Sequence, residues 1–441
     1  MQDPVLTLVS RPAEPRGRAG APWWWREQRP PRSSVVPVVA LGAFTFVLLT
    51  APQTTFPVLA SLRIALLTAG LAIAAHLVDR VARGQSVLAL PRGTWPAVLL
   101  GLWAIATAPL SAWPGGSVDL FLDLFVKSLL VLWLIAGVVD TTRRLRGLFW
   151  LLSALGVMLA VTALGNFATG KHLAGGAPGL ERIAGFDAPL TANPNDLALV
   201  LNLLLPLSLS LYHAHRRPGV RVLLLGVMAL EVAGVVATFS RAGFLTLLVV
   251  AVAHVLSMLR GARRIWGAVG IAGALVLVAV LPGGYGQHLG TVTDISSDPT
   301  GSAQERWTLM GAALRVVMAH PVCGVGLGMN ILAITDDVGG WRMVHNVYLQ
   351  VAADLGLVGL ALFLALFLGC WRHLRTLLRE RAGLGGARAG LAHLARGIEL
   401  SLLAFGVAAL FHPAAYHFYV FYVGGLALAA RGIHDREVAH G

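Results

Sequence analysis

Long apolar runs recur along this chain between short polar breaks, and they constrain its fold more than any other feature. A helix that crosses the hydrocarbon core of a bilayer needs about 20 mostly apolar residues. Only 12% of the 441 residues are charged, whereas soluble domains carry roughly 25%. The pattern excludes an ordinary soluble enzyme and predicts an all-α, polytopic membrane helix bundle.

The apolar runs predict about twelve transmembrane helices. We place them at residues 35–50, 57–78, 95–112, 120–139, 148–167, 196–212, 222–238, 243–259, 265–281, 346–369, 397–411 and 414–430. The predicted domains follow from these spans: a disordered basic tail (1–34), helices 1–9 (35–281), a large catalytic loop (282–345), helices 10–12 (346–430) and a short tail (431–441).

The basic residues predict the orientation. Most of the 34 Lys and Arg residues fall on one side of the predicted spans, together with both chain ends. Because Lys and Arg are enriched in cytoplasmic loops, we expect both termini in the cytoplasm and residues 282–345 outside. We expect no cleavable signal peptide, since the basic tail lacks a short apolar segment and cleavage site. The net charge of +13 then reflects orientation and contact with anionic membrane lipids, not nucleic acid.

Two outer segments, 168–195 and 282–345, are longer than simple turns, so we expect function to lie there. In the longer one, the spacing from Glu305 to Ala319 predicts an amphipathic helix along the outer membrane face or capping the bundle. Its predicted apolar face consists of Trp307, Met310, Leu314 and Val317.

Arginines on the outer side are candidates for phosphate binding, because a guanidinium can bind phosphate through two parallel hydrogen bonds. Arg241 lies in a minimal turn between two apolar spans, and Arg306 lies at the start of the amphipathic helix. The alternatives are contact of Arg241 with lipid head groups and a salt bridge from Arg306 to Glu305 or Asp298. Arg182 lies in the shorter outer segment.

His345 stands where the long outer segment re-enters the membrane. Imidazole titrates near neutral pH, so His345 could accept a proton from a sugar hydroxyl. The alternative is a residue that caps a helix or lies at the membrane interface. Cys323 and Cys370 cannot build a zinc site, and no His or carboxylate cluster has ligand spacing, so we expect no metal or other cofactor.

Other residues favour structural interpretations. Asn193-Pro194-Asn195-Asp196 predicts a turn and helix cap, and Gly324 to Gly328 predicts a flexible turn more than a phosphate cradle. His412, Tyr416 and His417 are typical of an interfacial belt. Glu231 is an exception. It lies well inside a predicted span, where an acidic residue is by default a functional candidate.

Three motifs carry a resemblance. Arg241-Ala242-Gly243-Phe244-Leu245 resembles the R-x3-L of O-antigen ligases. His345-Asn346, followed nine residues later by Gly356-Leu357-Val358-Gly359, fits their histidine pattern. Arg306-Trp307, ahead of His320-Pro321, resembles their loop helix. The chain resembles the O-antigen ligase and polymerase superfamily of bacterial membrane glycosyltransferases, and most closely the ligases.

The resemblance implies a metal-independent, inverting transfer of glycan from undecaprenyl diphosphate to a sugar hydroxyl of the lipid A core. The reaction would take place on the periplasmic face of the inner membrane. His345 would be the general base, Arg241 and Arg306 would bind the donor diphosphate, and Arg182 is a weaker candidate for the same role.

Several alternatives remain open. A repeat-unit polymerase or a protein O-oligosaccharyltransferase would use the same scaffold. From a different class, a lipid or polysaccharide transporter should show repeat symmetry and charged residues along a central path. The sequence offers no visible repeat, and its polar candidates lie on one side, so we favour the ligase.

Overall fold

The structure is a computed structural model that describes residues 34–87, 89–172, 183–258, 302–335, 340–382 and 388–439. Within these ranges every regular element is helical, and the one isolated β-bridge pairs His172 with Ile183. The predicted all-α class is confirmed.

The described elements follow the predicted apolar runs. They are α1 Val36–Thr50, α2 Pro52–Thr55, α3 Pro57–Ser61, α4 Ile64–Ala82, α5 Trp95–Thr107, α6 Pro114–Leu120, α7 Val126–Val138, α8 Thr142–Ala168, α9 Pro194–Ala214, α10 Pro218–Ala237, α11 Arg241–Met258, α12 Ser302–Ala319, α13 Asn330–Ala333, α14 Val347–Glu380, α15 Arg388–Ala408 and α16 Phe418–Ala439. A 3-10 turn, Ala108–Leu110, follows α5, and a π-helical turn, Phe121–Phe125, joins α6 to α7.

Each predicted span other than 265–281 overlaps one or more helices, and residues 265–281 lie outside the described part of the chain. In the described part, seven helices are long and apolar enough to cross a membrane, and three shorter helices are also apolar. These helices support a polytopic membrane protein. The count of twelve and the orientation of the termini stay predictions, and the tail over 1–33 is outside the described residues.

Some boundaries differ from the prediction. The span predicted over 57–78 is broken at Arg63, whose φ of 47° is left-handed, so the long helix α4 begins at Ile64. A continuous apolar run does not reveal such a break, because hydropathy indicates whether a segment prefers lipid or water and does not indicate its backbone angles. The last predicted span ends at 430, whereas α16 continues to Ala439 as a helix with a polar end.

Packing places α9 in the centre of the bundle. It contacts α8, α10, α11 and α15, while α16 packs on α7 and α14 packs on α5. At the C-terminal end of α14, away from His345, ion pairs join separate helices. Arg381 donates to Glu437 of α16 at 2.5 Å, and Arg431 of α16 pairs with Glu380 of α14 at 3.4 Å. These contacts fix one end of the bundle.

The predicted helix forms as α12, but its buried face is not the predicted one. Trp307 and Leu314 are 60% and 51% exposed. Leu309, Ala312 and Ala313 are buried instead, in a cluster shared with α14. Small alanines let two helices approach closely, so the contact face of α12 is its small-residue face. Of the predicted residues, Val317 is buried.

The loop that follows α12 docks on a break within α14. Gly356 has a φ of 71° and a ψ of −175°, so the helix kinks there. Carbonyl oxygens left without helical partners are bonded from outside: Ala353 accepts from Val325 N at 2.9 Å, and Asp354 accepts from Gly326 N at 2.8 Å. Leu355 accepts from the Trp103 ring N–H at 2.9 Å. The loop therefore replaces the hydrogen bonds that the helix loses.

Substituting Gly356 tests this docking. A Cβ at Gly356 would lie 2.0 Å from the Val322 carbonyl oxygen, at a positive φ that L residues avoid. We expect Gly356→Ala to lower the free energy of unfolding by at least about 2 kcal/mol, measured as a lower Tm in detergent. Gly369→Ala is the control in the same helix, because a Cβ there meets nothing within 4 Å. A Gly356→Ala variant as stable as Gly369→Ala would contradict this account.

Candidate functional site

Val325, in the glycine turn from Gly324 to Gly328, lies in the same buried cluster as Val344, the residue before His345. The amides of Val325 and Gly326 donate to α14, and Leu357 N donates to the Pro321 carbonyl at 2.7 Å. The segment is a turn, as predicted, but its bonded amides make it a docked turn and not a flexible one. These amides do not form a phosphate cradle.

A buried carboxylate secures the far end of this turn. Asp354 Oδ1 accepts from the Asn330 backbone N–H at 2.8 Å and from its side-chain amide at 2.9 Å. Tyr416, in the turn between α15 and α16, donates its hydroxyl to Asp354 Oδ2 at 2.9 Å. One acid therefore joins the loop, α14 and the C-terminal helices.

His345 lies directly before α14. The helix is capped by Asn346, whose side-chain oxygen accepts from Leu349 N at 3.0 Å. The capping alternative for His345 is therefore wrong. The Nδ1 atom of His345 lies 2.9 Å from the Met343 carbonyl oxygen. A carbonyl only accepts, so Nδ1 carries the proton and the lone pair of the neutral ring lies on Nε2.

The surroundings of His345 favour its neutral form. Burial, then the positive charge of Arg306, lowers the pKa of His345 from its ordinary value of 6.5. The hydrogen bond to Met343 and the charge of Glu305 oppose this shift, and His412 adds to it. At neutral pH the ring is therefore a neutral base.

Arg306 and Glu305 belong to the first turns of α12, and both act electrostatically on His345. Glu305 forms a salt bridge with Arg342, with 2.9 Å between Oε1 and Nη1. The structure thus brings together Arg306 and His345, which stand in separate parts of the sequence. Asp298, the other expected partner of Arg306, lies outside the described residues.

Arg241 is the first residue of α11, and the turn before it is built around Ser240. The Ser240 hydroxyl oxygen accepts from Gly243 N at 3.1 Å, which caps the helix, and the hydroxyl donates to Asn195 Oδ1 at 2.8 Å. The predicted cap at Asn193 is confirmed, since its side chain accepts from Asn195 N at 2.8 Å. Two helix N-termini therefore meet beside Arg241, where the helix dipoles favour an anion.

His412 connects this pair of turns to His345. Its Nε2 lies 3.1 Å from the Asn195 carbonyl oxygen, and its charge acts on His345. His412 and Tyr416 are each 2% exposed, so the predicted interfacial belt is wrong for both. No sequence pattern predicts that a histidine in a turn between two apolar helices is buried.

The remaining predicted residues have different outcomes. Arg182 lies outside the described residues. Glu231 is buried and accepts from the Ser208 hydroxyl at 3.0 Å, so its one described partner is structural. Asp354 and Glu399 are also buried within predicted spans, and the rule that singles out intramembrane acids would have found them.

The family comparison agrees with this geometry. Residues 223–364 match the family model described as O-antigen ligase. This matched domain covers about a third of the chain and supports the O-antigen ligase superfamily. This domain runs from α10 into α14 and contains Arg241, Arg306, His345 and the kink at Gly356. No curated protein matches the chain.

The matched domain does not contain every residue that lies near His345. Asn195 and His412 lie outside residues 223–364, yet they contact each other and lie next to domain residues. The predicted resemblance to the O-antigen ligase superfamily is confirmed.

Ser240 offers a test of the turn that presents Arg241. Ser240→Ala removes the helix cap and the bond to Asn195, so we expect a loss of about 1 kcal/mol in the free energy of unfolding, measured as a lower Tm in detergent. Ser257→Ala, at the other end of α11, is the control and should change stability by less than about 0.5 kcal/mol. Equal Tm values for the two variants would show that the cap does not hold this turn.

Proposed function

We propose that this chain is an O-antigen ligase that transfers a glycan from undecaprenyl diphosphate to a sugar hydroxyl of the lipid A core. The observation that carries the proposal is the arrangement of His345, a neutral histidine with its proton held on Nδ1, beside Arg306 within a ligase domain. We place the reaction on the periplasmic face of the bacterial inner membrane.

His345 is the proposed general base. Its Nε2 accepts the proton of the acceptor hydroxyl as the hydroxyl oxygen attacks the anomeric carbon of the donor. The Nδ1 bond to Met343 fixes the ring tautomer, and the lowered pKa keeps the ring neutral at the pH of the reaction.

Arg241 and Arg306 are the proposed donor-binding residues, and Arg182 is a further candidate. The bond between the anomeric carbon and the diphosphate oxygen breaks as the new glycosidic bond forms, and the leaving diphosphate takes the electron pair. Fixed cations stabilise this developing charge because they need no reorganisation during the reaction. A single displacement inverts the anomeric carbon, and His345 afterwards releases its proton to solvent.

Substrate choice separates the ligase from its relatives. The full-length protein would be reconstituted in lipid vesicles with a lipid-linked glycan and one acceptor at a time: lipid A core, a second lipid-linked glycan, or an acceptor protein. Extension of lipid A core supports the ligase. Extension of the second donor alone would make the chain a polymerase, and extension of the protein alone an O-oligosaccharyltransferase. Movement of the glycan across the vesicle membrane without formation of a new glycosidic bond would indicate a transporter.

Replacing His345 tests the base. We expect His345→Gln to lower the rate of glycan transfer at least about 100-fold while the protein still inserts and folds, because no group remains to accept the hydroxyl proton. His320→Gln is the control, since His320 is exposed at the end of α12. Transfer by His345→Gln at the rate of this control would remove His345 from the mechanism.

The lowered pKa of His345 fixes the direction of the pH dependence. The neutral ring is the active form, so transfer is present above the pKa of His345 and is lost as the pH falls through it. Because that pKa lies below the ordinary 6.5, we expect the acid limb of the rate profile below pH 6.5. An acid limb above this value would contradict the proposed environment of the ring.

Charge removal tests the donor site. We expect Arg241→Gln and Arg306→Gln each to weaken binding of undecaprenyl diphosphate roughly tenfold or more, because charged hydrogen bonds to phosphate are lost. Arg315→Gln is the control, since nine residues along α12 place Arg315 on the opposite helix face from Arg306. Equal affinity for the lipid in the Arg306→Gln and Arg315→Gln proteins would argue against this role.

A further inference from the structure

The non-helical segment before His345 runs along the start of α12. Arg342 Nη1 lies 2.9 Å from Glu305 Oε1, which joins the segment to the first turn of that helix. Two residues later, Val344 is buried in the same cluster as Leu309 of α12. These two contacts turn one face of the segment toward α12 and leave its other face outward.

The outward face carries Trp341 and Met343. Both are exposed, and Trp341 is 71% exposed. Side chains that alternate between contact and exposure indicate an extended segment, in which residues two apart share a face. Trp341, Met343 and His345 therefore lie on one face. Four residues of chain separate the α-carbons of Trp341 and His345 by at most about 14 Å.

An exposed indole at this distance from a base is suited to a sugar ring. One face of a pyranose presents C–H groups, which pack against the apolar face of an aromatic ring. Its hydroxyl groups need polar partners, and the exposed Glu305–Arg342 pair stands directly beside Trp341. A carboxylate accepts hydrogen bonds from hydroxyls and a guanidinium donates to them. The surface from Trp341 to His345 is longer than a single pyranose ring.

The alternative for an exposed tryptophan is contact with the membrane interface. The charged pair beside Trp341 disfavours burial of this face in hydrocarbon. Trp307 of α12 is different: it lies two residues after Glu305, so it is turned by about 200° around the helix from the side that contacts the segment. Membrane contact therefore suits Trp307, and Trp341 is left beside the base.

We propose that Trp341 binds the acceptor: its indole stacks on one sugar of an acceptor glycan while a hydroxyl of a neighbouring sugar reaches Nε2 of His345. The ligand class is an oligosaccharide of more than one sugar, and Trp341 selects such acceptors over single sugars. This inference rests on the proposed function, because it assigns the acceptor to the face that carries the proposed base.

Binding tests the inference without the reaction. The full-length protein in lipid nanodiscs would be titrated by calorimetry with the core oligosaccharide released from lipid A. We expect Trp341→Leu to weaken binding roughly tenfold, because the stacking contact is lost, and Trp341→Phe to restore most of it. Leu keeps an apolar side chain, so a tryptophan that only contacts lipid would tolerate the change.

The matched control is Trp113→Leu. Trp113 is 53% exposed, and its neighbour Ala112 donates to the Val325 carbonyl at 2.8 Å, so it lies at the same end of the bundle. We expect this variant to bind the oligosaccharide as the wild type does. Three results would each overturn the inference: no binding by the wild type, equal affinity in Trp341→Leu, or equal weakening in Trp113→Leu.

The transfer assay separates this inference from the proposed function. In Trp341→Leu the KM for lipid A core should rise roughly tenfold, while the KM for the lipid-linked donor stays unchanged. With an acceptor cut back to a single sugar, wild type and variant should react alike. Transfer that is indifferent to Trp341 would contradict only this inference. Binding that depends on Trp341 without any transfer would contradict only the proposed function.

Discussion

A backbone N–H or C=O that enters the hydrocarbon of a membrane needs a hydrogen-bond partner inside the protein. This requirement shapes the site at the kink in α14, at Gly356. The kink frees carbonyl oxygens of α14, and the turn after α12 supplies amides to them. The loop after α12 is therefore bonded through backbone atoms to a helix long and apolar enough to cross a membrane. Because this docking fixes the end of α12, it also fixes Arg306 relative to His345.

The electrostatics of the site follow from that arrangement. His345 is oriented by a carbonyl two residues away, so its tautomer depends on local backbone alone. Its charge state depends first on burial and then on distant parts of the chain, since Arg306 and His412 both disfavour the protonated ring. Arginine side chains beside such a base are suited to an anionic substrate. On the proposed function, Arg306 both binds the diphosphate and keeps the base ready to accept a proton.

Much of this could be predicted from the sequence, because long apolar runs and helix caps are local signals. His345 and Arg306 were found through family motifs, and the structure brings them together. The contact face of α12 was predicted wrongly, since in a membrane protein large apolar residues can face lipid while alanines face protein. Asp354 could have been found as an acid inside a predicted span. Its partners and those of His412 could not, because they lie far away in the chain and no spacing rule reports such contacts.

The bonds of Asp354 also bear on when the site can exist during biosynthesis. Its carboxylate holds the loop through Asn330 and the last two helices through Tyr416. A nascent chain that ends just after α14 already contains Asp354 but not yet Tyr416, whose hydroxyl bonds to it. Loop, kinked helix and C-terminal turn can be locked together only after the ribosome has passed Tyr416. A partly synthesised chain is thereby kept from presenting a finished site to lipid-linked substrates in the membrane.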